Sequence, residues 1–158
     1  MEKSLERFHK AQTGSWAGYA TALAEIRDGR KKGHWIWYVF PQIEGLGRSS
    51  TAQEFSLRDF DEACAYLRDP ILRSRYAEIA ATAAEQLAAG VPLKRLMGGS
   101  TDALKLASSA TLFHAAAARL TLHESDFAGL ARICDGILQA TAQQGYGPCQ
   151  FTLERCAL

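Results

Sequence analysis

Apolar side chains recur at intervals of three or four residues through most of the chain, a spacing typical of helices that bury one face. In segment 16–28 the residues Tyr19, Leu23 and Ile26 follow this spacing, and Gly29 is a natural end for the helix. The same spacing and the usual end signals predict further helices at 5–12, 57–67, 69–87, 101–119 and 125–144, with one or two turns at 92–97.

Several predicted helices begin at a side chain that can accept a hydrogen bond from the first free N–H groups. Ser15 is predicted to cap the helix at 16–28, and Ser100 is predicted to cap the helix at 101–119. Asp69 followed by Pro70 has the pattern of an N-cap and a first helical residue. These caps divide the apolar pattern into separate helices.

Two segments have no clear period. The apolar run 35–40 is rich in aromatic and β-branched residues, so periodicity does not distinguish a buried strand from a short buried helix. We favour a helix, because no partner strand is evident elsewhere, and segment 149–158 is left open. With no repeat or linker, the pattern predicts a single domain over residues 1–158, all-α and compact, with six or seven helices.

Composition supports a packed core and disfavours two classes of partner. Hydrophobic residues make up 47% of the chain, charged residues make up 22%, and the formal net charge is +1. A charge this small gives no general attraction to nucleic acid, which is therefore the least favoured partner. No apolar run approaches the ~18–20 residues that cross a bilayer, and residues 1–7 lack the apolar part of a signal peptide, so we expect a cytoplasmic protein without a membrane partner.

The four cysteines are scattered, with no C-x-x-C pair and no histidine at a spacing that zinc ligation favours. They are predicted to be free thiols, with Cys64 and Cys134 buried on helices. A reactive thiol is the less common alternative for such residues. Neither a metal site nor a cofactor is predicted.

The densest group of polar residues is segment 27–35, which contains four cations, two glycines and a histidine. Such a loop suits phosphate, because guanidinium and ammonium groups bond its oxygens and glycines let backbone N–H groups approach. Arg30 and Lys32 are therefore candidate ligand-binding residues. A solvated basic turn that complements the preceding helix dipole is an alternative, and the spacing matches neither a Walker A motif nor a dinucleotide-binding fingerprint.

The residues that follow add an acid–base group and two rings. His34 is a candidate general acid or base, although a histidine in a loop more commonly forms only a hydrogen bond across it. Trp35 and Trp37 are by default core residues, since aromatic side chains dominate buried area in small domains. Their alternative role is to stack on the base or sugar of a ligand.

A second group lies on the helix predicted at 101–119. Asp102, Lys105 and Ser109 are spaced i, i+3 and i+7, which places them on one face. Asp102 and Lys105 are candidate catalytic residues and Ser109 is a candidate ligand contact, whereas a simple surface ion pair is the favoured alternative for the first two. The glycines at 98 and 99 leave the first N–H groups of the helix open to an anion.

Several segments resemble the bacterial domain of unknown function 1810 family. The resemblance rests on Arg7-Phe8, Gln12, the helix at 19–27, the motif at 29–42, Gly45-Leu46-Gly47, and the pattern Asp102, Lys105, Ser108, Ser109 and Thr111-Leu112-Phe113. It implies an all-α fold and a bacterial origin but no reaction, and its members are sometimes labelled "calpastatin". Because its motifs cover the basic loop and the 102–109 face, it favours one shared pocket and adds Gln42 to the candidate ligand-binding residues.

These features lead to one main functional hypothesis and one alternative. The main hypothesis is that the protein binds, and hydrolyses, a phosphate-bearing or nucleotide-derived small molecule, with the cations of the basic loop on the anion. The alternative is a non-enzymatic regulatory module whose basic loop binds an acidic protein partner. The residues alone leave open which of the two is correct.

Overall fold

The computed structural model describes residues 4–14 and 16–157, apart from the side chain of Ser125. Over these residues the chain forms ten α-helices and one short 3-10 helix, and no β-strand, so the predicted all-α class is confirmed. The α-helices are α1 (Glu6–Gln12), α2 (Tyr19–Arg27), α3 (Ile36–Val39), α4 (Ser50–Phe55), α5 (Phe60–Arg68), α6 (Pro70–Ala88), α7 (Leu93–Met97), α8 (Ser100–Thr121), α9 (Ala128–Gln143) and α10 (Gln150–Cys156), and the 3-10 helix is Ser125–Phe127.

The predicted number of six or seven helices is wrong. The additional helices are short: α3 has four residues, α4 six and α10 seven. Helices of one or two turns do not repeat often enough to show a period in the sequence. The interpretation of the run at 35–40 as a short helix is confirmed by α3.

Of the predicted N-cap residues, Asp69 is confirmed and Ser100 is wrong. The Asp69 carboxylate accepts hydrogen bonds from the N–H groups of Ile71 at 3.0 Å and Leu72 at 3.1 Å, so it caps α6 as predicted. Ser100 does not cap α8, because it is the first helical residue and Gly99 is the N-cap. The predicted cap at Ser15 lies outside the described residues.

Helix α8 lies at the centre of the fold, where it packs against α5, α7, α9 and α10. Its Phe113 ring lies 4.4 Å from Tyr76 on α6 and 5.2 Å from Tyr66 on α5, measured between centroids. Trp35 and Phe40, which flank α3, belong to the same core and are fully buried. The dense packing along α8 therefore fixes the position of its N-terminal end at the surface.

Two further properties of the fold bear on the sequence-based expectations. In the parts of the chain that are described, no helix is both long and apolar enough to cross a membrane. The four cysteines are free thiols, and Cys64 and Cys134 are buried, as predicted. Packing and hydrogen bonds therefore hold the fold without disulfide crosslinks.

Candidate functional site

The loop between α2 and α3 is held by a single carboxylate oxygen. Oε1 of Glu25 accepts hydrogen bonds from the backbone N–H of Lys32 at 2.7 Å, the backbone N–H of Gly33 at 2.8 Å and the indole N–H of Trp35 at 2.9 Å. Partial burial raises the pKa of Glu25, but these hydrogen bonds and the nearby charge of Lys31 outweigh that effect and hold the pKa below its ordinary value. A charged Glu25 thus fixes the loop on α2.

Lys31 attaches the same loop to the helices that follow α6. Its backbone N–H donates to the Leu96 carbonyl at 2.8 Å, and its ammonium lies 2.7 Å from a carboxylate oxygen of Asp102. The ammonium also donates to the Gly33 carbonyl and lies 4.9 Å from the centroid of the Trp35 ring. Only 5% of the Lys31 side chain is exposed, so this ion pair is largely shielded from water.

The basic loop and the start of the 102–109 face therefore make contact through Lys31, which is not among the predicted site residues. That the two segments share one pocket stays a prediction. Lys31 stands between Arg30 and Lys32 in a run of three cations, and nothing in such a run marks the middle residue as buried. Its role depends on Asp102 and Leu96, which come much later in the chain. Asp102 gave no such signal either, because a carboxylate in the first turn of a helix is already favoured by the helix dipole.

A basic cleft lies beside this ion pair. It is lined by Arg30, Lys31, Lys94, Arg95, Gly98 and Gly99, and the cavity measures about 410 Å³. The side chains of Arg30, Lys94 and Arg95 are exposed, and none of them is ion-paired with a carboxylate among the described residues. The cleft therefore has a strong local positive charge on a protein whose overall charge is close to zero.

Backbone geometry opens this cleft at the start of α8. Gly98 ends α7 in a left-handed conformation with φ 77°, and Gly99 follows with φ 145°. A Cβ atom on Gly98 would lie 2.9 Å from the Lys31 carbonyl oxygen, so the loop and the helix junction approach as closely as a glycine allows. No side chain caps the 22-residue helix α8, and its first N–H groups, which carry the positive end of the helix dipole, adjoin the cleft.

On the other side of the ion pair, Asp102 also contacts Lys105. The second carboxylate oxygen of Asp102 lies 3.7 Å from the Lys105 ammonium. That ammonium lies 5.1 Å from the centroid of the Trp37 ring, and Trp37 is half-buried. Asp102 is thus shared between two lysines, one buried and one partly exposed, and each lysine covers the face of a tryptophan.

Two of the predicted ligand-binding residues are fully buried in the core. Trp35 is fully buried with its indole N–H on Glu25, so neither ring face is open to a ligand. Ser109 is also fully buried and its hydroxyl lies 3.0 Å from that of Tyr76, because α8 runs from the surface into the core within two turns. The backbone carbonyl of Gln42 accepts a hydrogen bond from the Leu57 N–H at 2.9 Å, next to an isolated parallel bridge between Ile43 and Leu57, while its side chain is partly exposed and stays a predicted ligand contact.

The remaining predicted residues lie at or near the surface. Arg30 lines the basic cleft, whereas Lys32 is exposed beside it and is not among the residues that line it. His34 is exposed on the loop and forms no hydrogen bond or ion pair with Asp102 or Lys105. The three predicted acid–base residues therefore do not form a single bonded group, although two of them are adjacent. Within the described residues there is no group of three or more potential metal ligands.

Comparisons with known proteins agree with this fold. A family model described as "Protein of unknown function (DUF1810)" matches residues 2–144. The crystal structure of the conserved hypothetical protein Rv1873 from Mycobacterium tuberculosis is similar, with 33% sequence identity and a TM-score of 0.76 over 96% of this chain and 95% of that chain. No curated protein matches the chain.

Proposed function

The chain belongs to the family of proteins of unknown function DUF1810, and from its surface we propose that it binds a phosphate-bearing small molecule in the basic cleft. The observation that carries this proposal is that three exposed cations, Arg30, Lys94 and Arg95, line one cleft with the two glycines that precede α8, without carboxylate partners among the described residues. Like charges gathered in this way repel one another, and a bound anion removes the repulsion.

The chemistry of the cleft suits phosphate in two ways. Guanidinium groups form paired, charge-assisted hydrogen bonds with phosphate oxygens, and Arg30 and Arg95 supply two such groups. Backbone N–H groups at a helix start favour an anion through both hydrogen bonding and the helix dipole, and Gly99 places no side chain in front of them. A nucleotide-derived ligand fits this description through its phosphate groups.

Binding, rather than hydrolysis, is the activity we propose. Asp102 is paired with Lys31 at 2.7 Å and lies 3.7 Å from Lys105, so we assign its carboxylate the structural role of joining the loop to α8. His34 stays the predicted acid–base group for a hydrolytic reaction. Its test is chromatography of ADP-ribose or a nucleotide incubated with the wild type and with His34→Ala.

The experiment that tests binding is a thermal-shift screen with nucleotides, ADP-ribose and sugar phosphates. At a concentration roughly 100 times the Kd, a ligand is expected to raise the Tm by about 5 °C or more. The double variant Arg30→Ala/Arg95→Ala should lose this shift, since it removes both guanidinium groups from the cleft. Lys32→Ala is the matched control, because it removes an exposed charge from the same loop but outside the cleft.

Three results would overturn the proposal. One is the absence of any shift of the wild type with all the phosphate compounds. Another is an equal shift of the wild type and the double variant, which would place the bound compound elsewhere on the protein. A shift that Lys32→Ala abolishes as completely as the double variant would also contradict the assignment of the cleft.

The alternative function, a regulatory module that binds an acidic protein, draws on the same exposed cations. A protein partner needs a broad contact surface of about 800 Å² on each side, so it would engage Lys32 as well as Arg30. Capture of an acidic protein that Lys32→Ala and Arg30→Ala weaken equally, together with no thermal shift by phosphate compounds, would favour this function.

A further inference from the structure

We infer that Cys149 is a site of oxidation by peroxides, and that the buried hydroxyl of Thr152 stabilises the oxidised sulfur. Cys149 is the residue that precedes α10, and it is not among the residues that line the basic cleft, so the inference is independent of the proposed function. Three observations support it: an unpartnered buried hydroxyl, the position of the thiol beside it, and the positions of the other cysteines.

The hydroxyl of Thr152 is the one buried side-chain polar atom without a hydrogen-bond partner in the described part of the chain. Thr152 is fully buried, and a hydroxyl that is removed from water without gaining a partner costs free energy. Other buried hydroxyls are satisfied, since Thr141 donates to the Leu138 carbonyl at 3.2 Å and Thr111 donates to the Ala107 carbonyl at 2.7 Å. The orphaned donor at Thr152 therefore points to a partner that the reduced protein does not supply.

The sulfur of Cys149 is the neighbour of this hydroxyl. The backbone N–H of Cys149 donates to the Thr111 hydroxyl at 3.0 Å, which holds Cys149 against α8 and places its side chain one turn before Thr152. Partial burial raises the pKa of Cys149, but the donors around its sulfur, with Thr152 foremost, hold the pKa below its ordinary value. A thiol sulfur is a weak acceptor and leaves the hydroxyl of Thr152 unsatisfied, whereas an oxygen bound to that sulfur is a strong one.

The oxidation begins when the thiolate of Cys149 attacks one oxygen of a hydroperoxide. A sulfur–oxygen bond forms while the oxygen–oxygen bond breaks, and the second oxygen leaves as hydroxide or alkoxide, which takes a proton from the solvent. The sulfur loses two electrons, the peroxide gains them, and Cys149 becomes a sulfenic acid. The new oxygen on the sulfur is the acceptor that the Thr152 hydroxyl lacks in the reduced protein.

The other cysteines are poorly placed to convert this sulfenic acid into a disulfide. Cys156 follows Cys149 by seven residues along α10, and a rise of ~1.5 Å per residue separates their Cα atoms by about 10 Å. A disulfide needs Cα atoms within about 7 Å of each other. Cys64 and Cys134 are buried on α5 and α9, and burial raises the pKa of both thiols. The sulfenic acid therefore persists until an external thiol attacks it, which forms a mixed disulfide and releases water.

The test is oxidation of the full chain by hydrogen peroxide, with the sulfenic acid trapped by dimedone and located by peptide mass spectrometry. Cys149 should be labelled first of the four cysteines at a low excess of peroxide near neutral pH. Thr152→Val keeps the shape of the side chain and removes its hydroxyl, and it should slow the labelling of Cys149 at least about fivefold, since hydrogen bonds to charged groups are the stronger kind. Labelling of another cysteine before Cys149 would overturn the inference.

Two further variants separate the role of the Thr152 hydroxyl from a loss of packing. Thr141→Val removes a fully buried hydroxyl that already has a partner, and it should leave the labelling rate of Cys149 unchanged. Thr152→Ser keeps the hydroxyl and should be labelled at about the wild-type rate. Because the Thr152 hydroxyl is unpaired, Thr152→Val should not lower the Tm of the reduced protein. Equal labelling rates in the wild type and Thr152→Val, or equal slowing by Thr152→Ser and Thr152→Val, would overturn the inference.

Discussion

Lys31 and Asp102 form an ion pair with 2.7 Å between ammonium and carboxylate, and it joins the loop after α2 to the first turn of α8. Lys31 lines the basic cleft, while its ammonium is turned towards Asp102, Gly33 and the Trp35 ring. This arrangement engages one cation of the cleft within the protein and leaves Arg30, Lys94 and Arg95 exposed.

Removal of Asp102 is expected to destabilise the protein strongly. Asp102→Ala leaves the Lys31 ammonium, 5% exposed, without its counter-ion, and loss of one partner of a buried pair costs about 3 kcal/mol. The free energy of unfolding in urea measures the change. Lys105→Ala is the control, since its 3.7 Å pair is more exposed and its loss should cost less than about 1 kcal/mol. Equal losses for the two variants would contradict this role of Lys31.

Glu25 should make stability depend on pH in the acid range. Its pKa is lower in the folded protein than its ordinary value of 4.5, because the N–H groups of Gly33 and Lys32 and the indole of Trp35 outweigh the effect of burial. The contribution of Glu25 is therefore complete above pH 4.5 and is lost as the pH falls below it through the folded pKa.

Glu25→Gln should cost about 2 kcal/mol at neutral pH, since a neutral amide oxygen accepts the three hydrogen bonds more weakly. Because other carboxyl groups also titrate, the quantity to measure is the difference between wild type and Glu25→Gln in urea unfolding, at about pH 7 and about pH 3.5. The difference should shrink at the lower pH. A difference in the free energy of unfolding that stays constant or grows at the lower pH would show that Glu25 does not hold the loop as a charged carboxylate.

Gly98 tests the close approach of the loop to the junction of α7 and α8. Gly98→Ala introduces both a left-handed alanine, at φ 77°, and a Cβ atom 2.9 Å from the Lys31 carbonyl oxygen. Gly90→Ala is a matched control with φ 98° and no atom within 4 Å of the added Cβ. We expect a loss of about 1 kcal/mol from the backbone at Gly90 and at least about 1 kcal/mol more at Gly98. Equal melting temperatures for the two variants would rule out the close contact.

The Ser109–Tyr76 hydrogen bond should behave as a core interaction. Ser109→Ala leaves the buried Tyr76 hydroxyl unpaired and should cost about 1–2 kcal/mol, while the double variant with Tyr76→Phe should cost less than the two single changes added together. Urea unfolding of all four proteins supplies the coupling energy. Ser109→Ala should leave the thermal shift by phosphate compounds unchanged, and a loss of that shift would restore Ser109 as a ligand contact.

Cys149 is expected to be the most reactive of the cysteines. Partial burial raises the pKa of Cys149, but the hydrogen-bond donors around the thiol, among them the backbone N–H groups of Thr152 and Phe151, outweigh that effect and hold the pKa below its ordinary value. Burial instead raises the pKa of Cys156 to about 11 and that of Cys134 to about 12. Since the thiolate is the reactive form, brief iodoacetamide treatment near neutral pH should modify Cys149 first, as read by peptide mass spectrometry. Earlier modification of Cys156 or Cys64 than of Cys149 would contradict the assignment.

Sequence patterns identified the long helices because each repeats its apolar face over several turns. The spacing i, i+7 placed Ser109 on the face of Asp102, but depth along a helix depends on what packs against it, and α8 is surrounded within two turns. The preference of the basic loop for phosphate was predicted from its residue types. The structure adds Lys94 and Arg95 to the same cleft as Arg30, and no sequence motif indicated that these residues lie together. Long-range pairing was the missing information in each case.

The three hydrogen bonds to Glu25 have a consequence for the thermodynamics of association. With the loop tied to α2 through Glu25 and to α7 through Leu96, its conformational entropy is already lost when the chain folds. A ligand that meets Arg30 therefore finds a pre-organised surface and spends little of its binding energy on ordering the backbone. Loosening that loop would weaken affinity without touching a single ligand contact.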